Sequence, residues 1–415
     1  MRGTEIRSLT GLRLAAALWV VAFHVVAGRP GNFRAELPAV DAWLSPLYDS
    51  GRLGVDLFFV LSGFVLALNY LPTVGERPRL DVMRRFWWAR LSRVWPAYFV
   101  MISVAAGIDV VAAVLLPHRR MPDDLTPIDF LEQMLLVQQW AAERHSGTSW
   151  NGPSWSVSAE AFAYLLFPLL ALLVVRLARR AGTGVLAALS LAALSLATMV
   201  PLLLLMAGTQ SFASPYSWAA RILCEFVAGM LVYVAVAAVR WTPRRRRMAG
   251  WASLLLALAV VGWLYTAPLV PLRPAWGLVC VLFVPLIGML SVASGPLPRL
   301  LSTRVMVFGG RISYSLYLVH IPTFHLGLAL GRQVPLVREH PELSVYVALG
   351  LVPVALVFAW LLYSCVEEPC RRRMRGMADQ PRATVPNLRP AAHLIRTRPM
   401  PADAPVPMGS HSSAW

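Results

Sequence analysis

Ten ionisable side chains interrupt otherwise apolar stretches of this sequence, and their types suit acid–base and anion chemistry. They are Arg13, His24, Asp56, Asp109, Glu160, Arg221, Glu225, Arg311, His320 and His325. An ionisable group at the centre of a membrane span costs at least about 2.5–3.5 kcal/mol, so such groups face a bundle interior and mark function by default. A histidine partnered by a carboxylate is a general base, because the carboxylate fixes the tautomer and stabilises the imidazolium that forms. Arginines near the cytoplasmic side suit an anionic substrate that arrives from the cytoplasm. Bland accounts stand beside these. A lone histidine can be a satisfied core residue, Arg221 and Glu225 can neutralise each other at i,i+4, and Asp56 can cap a helix N-terminus.

The elements that must position these groups follow from composition. Of the 415 residues, 57% are hydrophobic and 14% charged, with a mean hydropathy of +0.59. Soluble domains carry about 25% charged residues. A soluble enzyme, a disordered chain and a collagen-like fibre are excluded. An apolar core of ~30 Å needs about 20 residues per helix. Ten stretches meet or approach that length: Leu9–Ala27, Leu53–Leu71, Val94–Leu116, Trp155–Val175, Gly184–Ala207, Trp218–Val239, Ala249–Ala267, Leu272–Ala293, Val305–Leu330 and Leu343–Val366. Arg13 interrupts the first, which argues against a signal peptide. The predicted fold is an all-α polytopic transmembrane helical bundle of about ten spans.

Net charge is +17, and all 38 basic residues are arginine. Lysine Schiff-base chemistry is therefore excluded. With the N-terminus in the cytoplasm, 26 arginines fall on the inner side, 9 on the outer side and 3 within spans. This matches the positive-inside pattern and puts both termini in the cytoplasm. The Arg244–Arg247 run reads as an inner-leaflet anchor rather than a nucleic-acid patch. Residues 1–373 form the membrane domain, and the Pro- and Arg-rich residues 374–415 are expected to be a disordered cytoplasmic tail. An amphipathic stretch near Pro127–Trp140 reads as a short interfacial helix. Four scattered cysteines show no metal spacing, and no metal site is expected.

Helix rise sorts the buried charges by depth. His24 and His320 each lie ~22 Å above the inner edge, while Asp56 and Glu160 lie ~5–7 Å below the outer edge. The two histidines and two carboxylates are thus expected in one layer, with Glu160 or Asp56 orienting His24. Arg13 and Arg311 share a layer ~6–9 Å above the inner edge. Arg13 and His24, eleven positions apart, can lie on one helix face.

These residues resemble the membrane-bound acyltransferase-3 family over about residues 5–373. The resemblance rests on six ordered motifs: Arg13-x10-His24; GVDLFFVLSGFVL at 54–66; FWWARLSRVWPAY at 86–98, with Arg90 and Arg93; PSWSVSAEAFAYLLFP at 153–168, with Trp155, Ser156 and Glu160; GRISYSLYLVHIP at 310–322; and Glu368-Pro369. It implies a multi-pass protein of the cell membrane, an O-acyltransferase. Such an enzyme moves an acyl group, often acetyl, from cytoplasmic acyl-CoA to a hydroxyl of a carbohydrate or glycosylated small molecule. It also implies His24 as catalytic base and Arg90 with Arg93 in acyl-CoA handling, with acyl-CoA a co-substrate and no permanently bound cofactor. Many members carry a fused extracytoplasmic hydrolase-like domain, and this sequence is expected to be a free-standing form.

The mechanism expected from the two readings docks the donor's phosphates on Arg90, Arg93 and Arg13, since arginine forks suit phosphates. Its thioester then reaches the His24 layer. Ser156 or a backbone N–H is expected at the oxyanion. A covalent acyl-histidine is the alternative route, and His320 is the alternative base. The rival function class is a proton-coupled transporter, which buried His, Glu and Arg also suit. No inverted repeat is visible in its favour.

Overall fold

In a bilayer core no water satisfies backbone groups, so an apolar chain crosses as helices that bond internally. The computed structural model describes residues 5–27, 33–74, 79–115, 126–140, 150–193, 217–269 and 275–377. Among them every regular element is helical. The helices are α1 Arg7–Ala27, α2 Phe33–Glu36, α3 Pro38–Asp49, α4 Gly54–Val74, α5 Leu80–Leu115, α6 Pro127–Met134 and α7 Trp155–Arg180. They continue with α8 Thr183–Ala193, α9 Ser217–Ala237, α10 Pro243–Thr266, α11 Cys280–Val292 and α12 Pro296–Leu301. The last four are α13 Arg304–Gly331, α14 Pro335–Glu339, α15 Ser344–Leu362 and α16 Glu368–Met377. The chain is a polytopic all-α bundle.

Among the described residues, seven segments are long and apolar enough to cross a membrane: Arg7–Val26, Pro38–Val74, Leu80–Val111, Gly152–Arg180, Trp218–Ala237, Pro243–Leu269 and Pro341–Met377. The predicted spans that fall short of this standard do so for separate reasons. Gly184–Ala207 is described only as far as Ala193, and α11 is 13 residues long. Helix α13, at 28 residues, has ample length but carries Arg311, Ser313, Ser315, His320 and Thr323 along it. At residues 127–140 the helix is shorter than predicted. Thr126 and Asp129 form a capping box that starts α6, and the helix ends at Met134. Helix α16 runs past residue 373, across the predicted domain boundary, and residues 378–415 lie outside the described residues.

Two helix crossings position the site. Helix α1 lies against α13 so closely that a Cβ at Gly310 would sit 1.8 Å from the Thr10 carbonyl oxygen. The foot of this pair is clamped. Arg7 Nη2 donates to the Ser302 carbonyl at 2.9 Å, and Arg311 Nη2 donates to Glu5 Oε2 at 2.8 Å. The Arg311 bond holds the Glu5 carboxyl below the usual carboxylate range. The second crossing joins α4 and α9, where a Cβ at Gly63 would sit 2.0 Å from the Phe226 carbonyl oxygen. Backbones approach this closely only where the side chain is absent.

An aromatic core then fixes the rotation of α5. Phe86 on α5 stacks on Phe167 of α7, ring centroids 4.5 Å apart, and Phe167 meets Phe226 of α9 edge-on at 6.2 Å. With Phe86 inward, Arg90 and Arg93, one and two turns further on, face the same interior. Gly310→Val is expected to force α13 off α1 and to destabilise the protein by about 1–3 kcal/mol, the usual cost of overpacking. A detergent-solubilised variant that melts with the wild type contradicts that placement.

Candidate active site

The α1–α13 crossing brings His24 and His320 together, two residues separated by 296 positions. Their ring centroids are 4.9 Å apart, and His320 is fully buried. The tautomers follow from the partners. His24 Nδ1 lies 2.9 Å from the Val20 carbonyl, and His320 Nδ1 lies 3.2 Å from the Leu316 carbonyl. A carbonyl oxygen only accepts, so each Nδ1 carries the hydrogen. His320 Nε2 is then an acceptor, 3.3 Å from His24 Nδ1. The His24 N–H is shared between the Val20 carbonyl and His320, and the lone pair of His24 Nε2 is left for a ligand.

A second layer is built around Arg13, about three turns before His24 on α1. Arg13 is largely buried, its Nε has no hydrogen-bond partner, and its guanidinium stands 5.9 Å from the Phe58 ring centroid. Arg93, Glu160, Tyr164 and Glu367 are within its electrostatic reach. Glu160 Oε1 accepts from Ser62 Oγ at 2.7 Å and from Tyr164 OH at 2.5 Å. Arg90 Nη2 donates to Tyr70 OH at 3.0 Å and lies over the Tyr70 and Tyr164 rings, while its Nε is buried without a partner. Arg93 forms an ion pair with Glu367, whose second oxygen accepts from Ser315 Oγ at 2.7 Å. Glu367 ends a π-helical turn, Tyr363–Glu367, which follows α15. Such turns recur at functional sites.

The expected single layer of histidines and carboxylates is not what forms, and neither carboxylate hydrogen-bonds His24. Glu160 belongs with Arg13, because the start of α7 is sunk inside the protein. Asn151, Pro153 and Ser154 ahead of it are all buried, and Asn151 Nδ2 donates to the Leu318 carbonyl at 3.0 Å. Counting depth from Trp155 as a membrane edge misses this burial, and Glu160 falls within electrostatic reach of Arg13 instead. Asp56 instead takes a two-point contact from Arg221, Nε to Oδ1 at 2.6 Å, with Glu225 a further 3.6 Å from Arg221 Nε. This triad seals the α4–α9 crossing. The i,i+4 pair of Arg221 and Glu225 is real, but Asp56 is the closer partner.

Arg311 leaves the interior for Glu5 and is half exposed. Ser156 is not open to an oxyanion. Its Oγ lies 2.7 Å from Tyr317 OH and 3.2 Å from the Pro153 carbonyl. Tyr317 OH itself donates to the Pro153 carbonyl at 2.7 Å, so this cluster ties the α7 entry to α13 one turn before His320.

Several residues escaped the sequence reading. Glu367 is one, since its neighbour Glu368 drew attention within the Glu-Pro motif. Tyr164 carried a signal, four positions after Glu160 and thus on the same helix face. Gln138 and Asn151, both buried near Tyr317 and Ser154, carried none. Gln138 Nε2 donates to Tyr98 OH and the Ser154 carbonyl at 3.0 and 3.1 Å, and its Oε1 has no partner. Asn151 Oδ1 is likewise unpartnered.

Comparison with known proteins gives this geometry a context. A family model described as an acyltransferase domain, acyltransferase-3, matches residues 6–364. The chain is 29% identical over 400 residues to Acyltransferase MdmB of Streptomyces mycarofaciens, covering 92% of this chain and 96% of that protein. It is 26% identical over 392 residues to Peptidoglycan O-acetyltransferase OatA of Listeria monocytogenes, covering 88% of this chain and 56% of OatA. It is 24% identical over 399 residues to O-acetyltransferase OatA of Staphylococcus aureus, 88% of this chain and 57% of that protein. The chain thus spans just over half the length of these two O-acetyltransferases. No solved structure matches.

Proposed function

Because this chain belongs to the acyltransferase-3 family and is a multi-pass membrane O-acyltransferase, we propose that it transfers a short acyl group, acetyl or similar, from acyl-CoA to a hydroxyl of a carbohydrate or glycosylated small molecule. In this reading the protein resides in the cell membrane with both termini in the cytoplasm. The observation that carries it is the arrangement on α1. A histidine with an open Nε2 stands above a buried arginine that has an unpartnered Nε. Eleven residues of helix separate them by about 16 Å. A pantetheine arm, roughly 15–20 Å long from its bond geometry, joins phosphates in the arginine layer to a thioester beside His24.

The residues then act as follows. Arg13, Arg90 and Arg93 bind the donor's phosphates. His24 Nε2 accepts the proton of the acceptor hydroxyl as its oxygen attacks the thioester carbonyl. The tetrahedral intermediate expels the CoA thiolate, and the proton on His24 passes to that sulfur. His320 is a positioning residue, since its Nε2 receives the His24 N–H and keeps the reactive nitrogen turned outward. Glu160 sets the charge balance around Arg13 and is not the partner of His24. Asp56 braces α4 through Arg221.

Membranes holding the protein, incubated with labelled acetyl-CoA and a panel of glycosides, are expected to yield an acylated glycoside and free CoA. Labelled material that enters sealed vesicles chemically unchanged supports the transporter class instead. His320→Phe, which keeps the ring and removes the acceptor nitrogen, is expected to lower kcat about 10²-fold with KM for acetyl-CoA nearly constant. A variant with unchanged kcat removes His320 from the mechanism.

A further inference from the structure

Helix α16, Glu368–Met377, begins after the family match ends at residue 364, yet it packs against the donor side of the site. Trp88 Nε1 on α5 donates to the Met374 carbonyl at 2.7 Å, which fixes α16 beside the turn that bears Arg90. The charges on this helix divide into two sets. Arg371 and Arg372 both bond to Glu368, and Arg372 is 76% exposed. Arg375 is different. It faces inward, its Nε is buried without a hydrogen-bond partner, and Arg90, Arg93, Arg371 and Tyr70 lie within its electrostatic reach.

The carboxylates nearby are already engaged. Glu367 is held by Arg93 and Ser315, and Glu368 by Arg371 and Arg372. Arg90 and Arg375, on helices joined by the Trp88–Met374 bond, lie within electrostatic reach of each other; each has an unpartnered buried Nε, and neither forms an ion pair among the described residues. Like charges brought together at low dielectric repel strongly. Such a pair is stable when a multiply charged anion lies between its members, and the guanidinium forks suit phosphate.

We infer that Arg375 completes a phosphate-binding site with Arg90, and that α16 is the wall of the donor site that grips the nucleotide end of the thioester. The inference rests on the acyl-CoA reading above. It adds a residue and an element outside the matched family segment. It also specifies which part of the donor they hold, the phosphates rather than the pantetheine or acyl group. The Tyr70 hydroxyl, bonded to Arg90, closes one side of the site.

The test compares two donors on the full-length protein in membranes. These are acetyl-CoA and S-acetyl-N-acetylcysteamine, which keeps the thioester and lacks every phosphate. Arg375→Gln is expected to raise KM for acetyl-CoA by about 10–100-fold, the usual weight of one charged hydrogen bond. Its kinetics with the truncated donor should stay within about twofold of wild type. Arg375→Lys, which keeps the charge, is expected to recover most of that loss. Arg372→Gln removes a charge from the exposed side of the same helix and should change neither donor's KM.

An unchanged acetyl-CoA KM in Arg375→Gln overturns the inference. So does an equal loss with both donors, which marks α16 as structural only. A lysine variant as weak as the glutamine variant, or an Arg372→Gln effect as large as that of Arg375→Gln, overturns it as well. Failure of the donor reading itself is visible without any mutation, as a wild-type protein that uses acetyl-CoA no better than the truncated thioester.

Discussion

His24→Ala is expected to lower acyl transfer by about 10²–10⁴-fold, the span that a positioned general base contributes. The protein should still insert, fold and bind donor. Structure supports the separation of these outcomes. His24 is only partly buried, and its hydrogen bonds run to a carbonyl on its own helix and to His320. Alanine is a strong helix former, so α1 keeps its backbone. His320 loses a donor but keeps its own bond to the Leu316 carbonyl. The measurement is product formation per folded protein, with melting temperature and acetyl-CoA KM recorded alongside. Turnover near the wild-type value removes His24 as the base. Loss of folding together with activity makes it a structural residue instead.

Arg221→Met is expected to have the largest effect on stability. Arg221 is the counter-ion for Asp56 and Glu225, which are 2% and 1% exposed at their side chains. Without it, two carboxylates buried at the α4–α9 crossing lose the cation bonded to them, and Arg52, within electrostatic reach of Asp56, is the nearby charge that remains. Removing one partner from a buried pair costs about 3–5 kcal/mol. The variant should accumulate poorly, and its melting temperature in detergent should fall well below that of wild type. Asp56→Leu, Arg221→Met and Glu225→Leu combined should regain much of the lost stability, because well-packed apolar groups can replace a whole buried charge network. A single Arg221 variant as stable as wild type shows that the triad is not sealing the crossing. This result also separates Asp56 from catalysis, since the triple variant retains the histidine pair.

Which stretches form helices and which buried groups each carries was legible in the sequence, and rotation about the helix axis was not. The height count puts Arg13 in a layer with Arg311, but Arg311 turns out to Glu5, and Arg13 instead lies within electrostatic reach of Arg93, Glu160 and Glu367. The 22 Å heights of His24 and His320 correctly put them level. What height leaves open is which side chains turn toward each other, and that depends on glycine contacts such as Gly310 with Thr10, whose partner is 300 positions away. Asp56 illustrates the failure. Its height fits His24, but the α4–α9 crossing turns it toward Arg221. Glu160 failed for another reason. A sequence shows where an apolar run starts, not whether that start is sunk in protein, and the buried Asn151–Ser154 entry shifts all of α7. Glu367 was hidden by its local geometry. In a regular helix continuing from α15, residue 367 has one azimuth, and the extra residue of the π turn gives it another.

The foot of the α1–α13 pair has a wider meaning. Arg7 with Ser302 and Arg311 with Glu5 join the two helices below the site, and the close contact at Gly310 joins them beside it. Both histidines therefore ride on one stiff beam. The arginines proposed to grip phosphate, apart from Arg13, belong to a different part, α5 and α16; α5 meets that beam through the Tyr314 hydroxyl and the Val94 carbonyl at 2.9 Å, and the π turn before α16 meets it through the bond from Ser315 to Glu367. In the proposed mechanism the proton-transfer pair and most of the phosphate grip are thus carried by different helices. Substitutions that retune donor choice can accumulate on one without disturbing the proton-transfer geometry of the other. Under the proposed mechanism, a lineage with this architecture can change its grip on the donor and its proton-transfer geometry as separate evolutionary events.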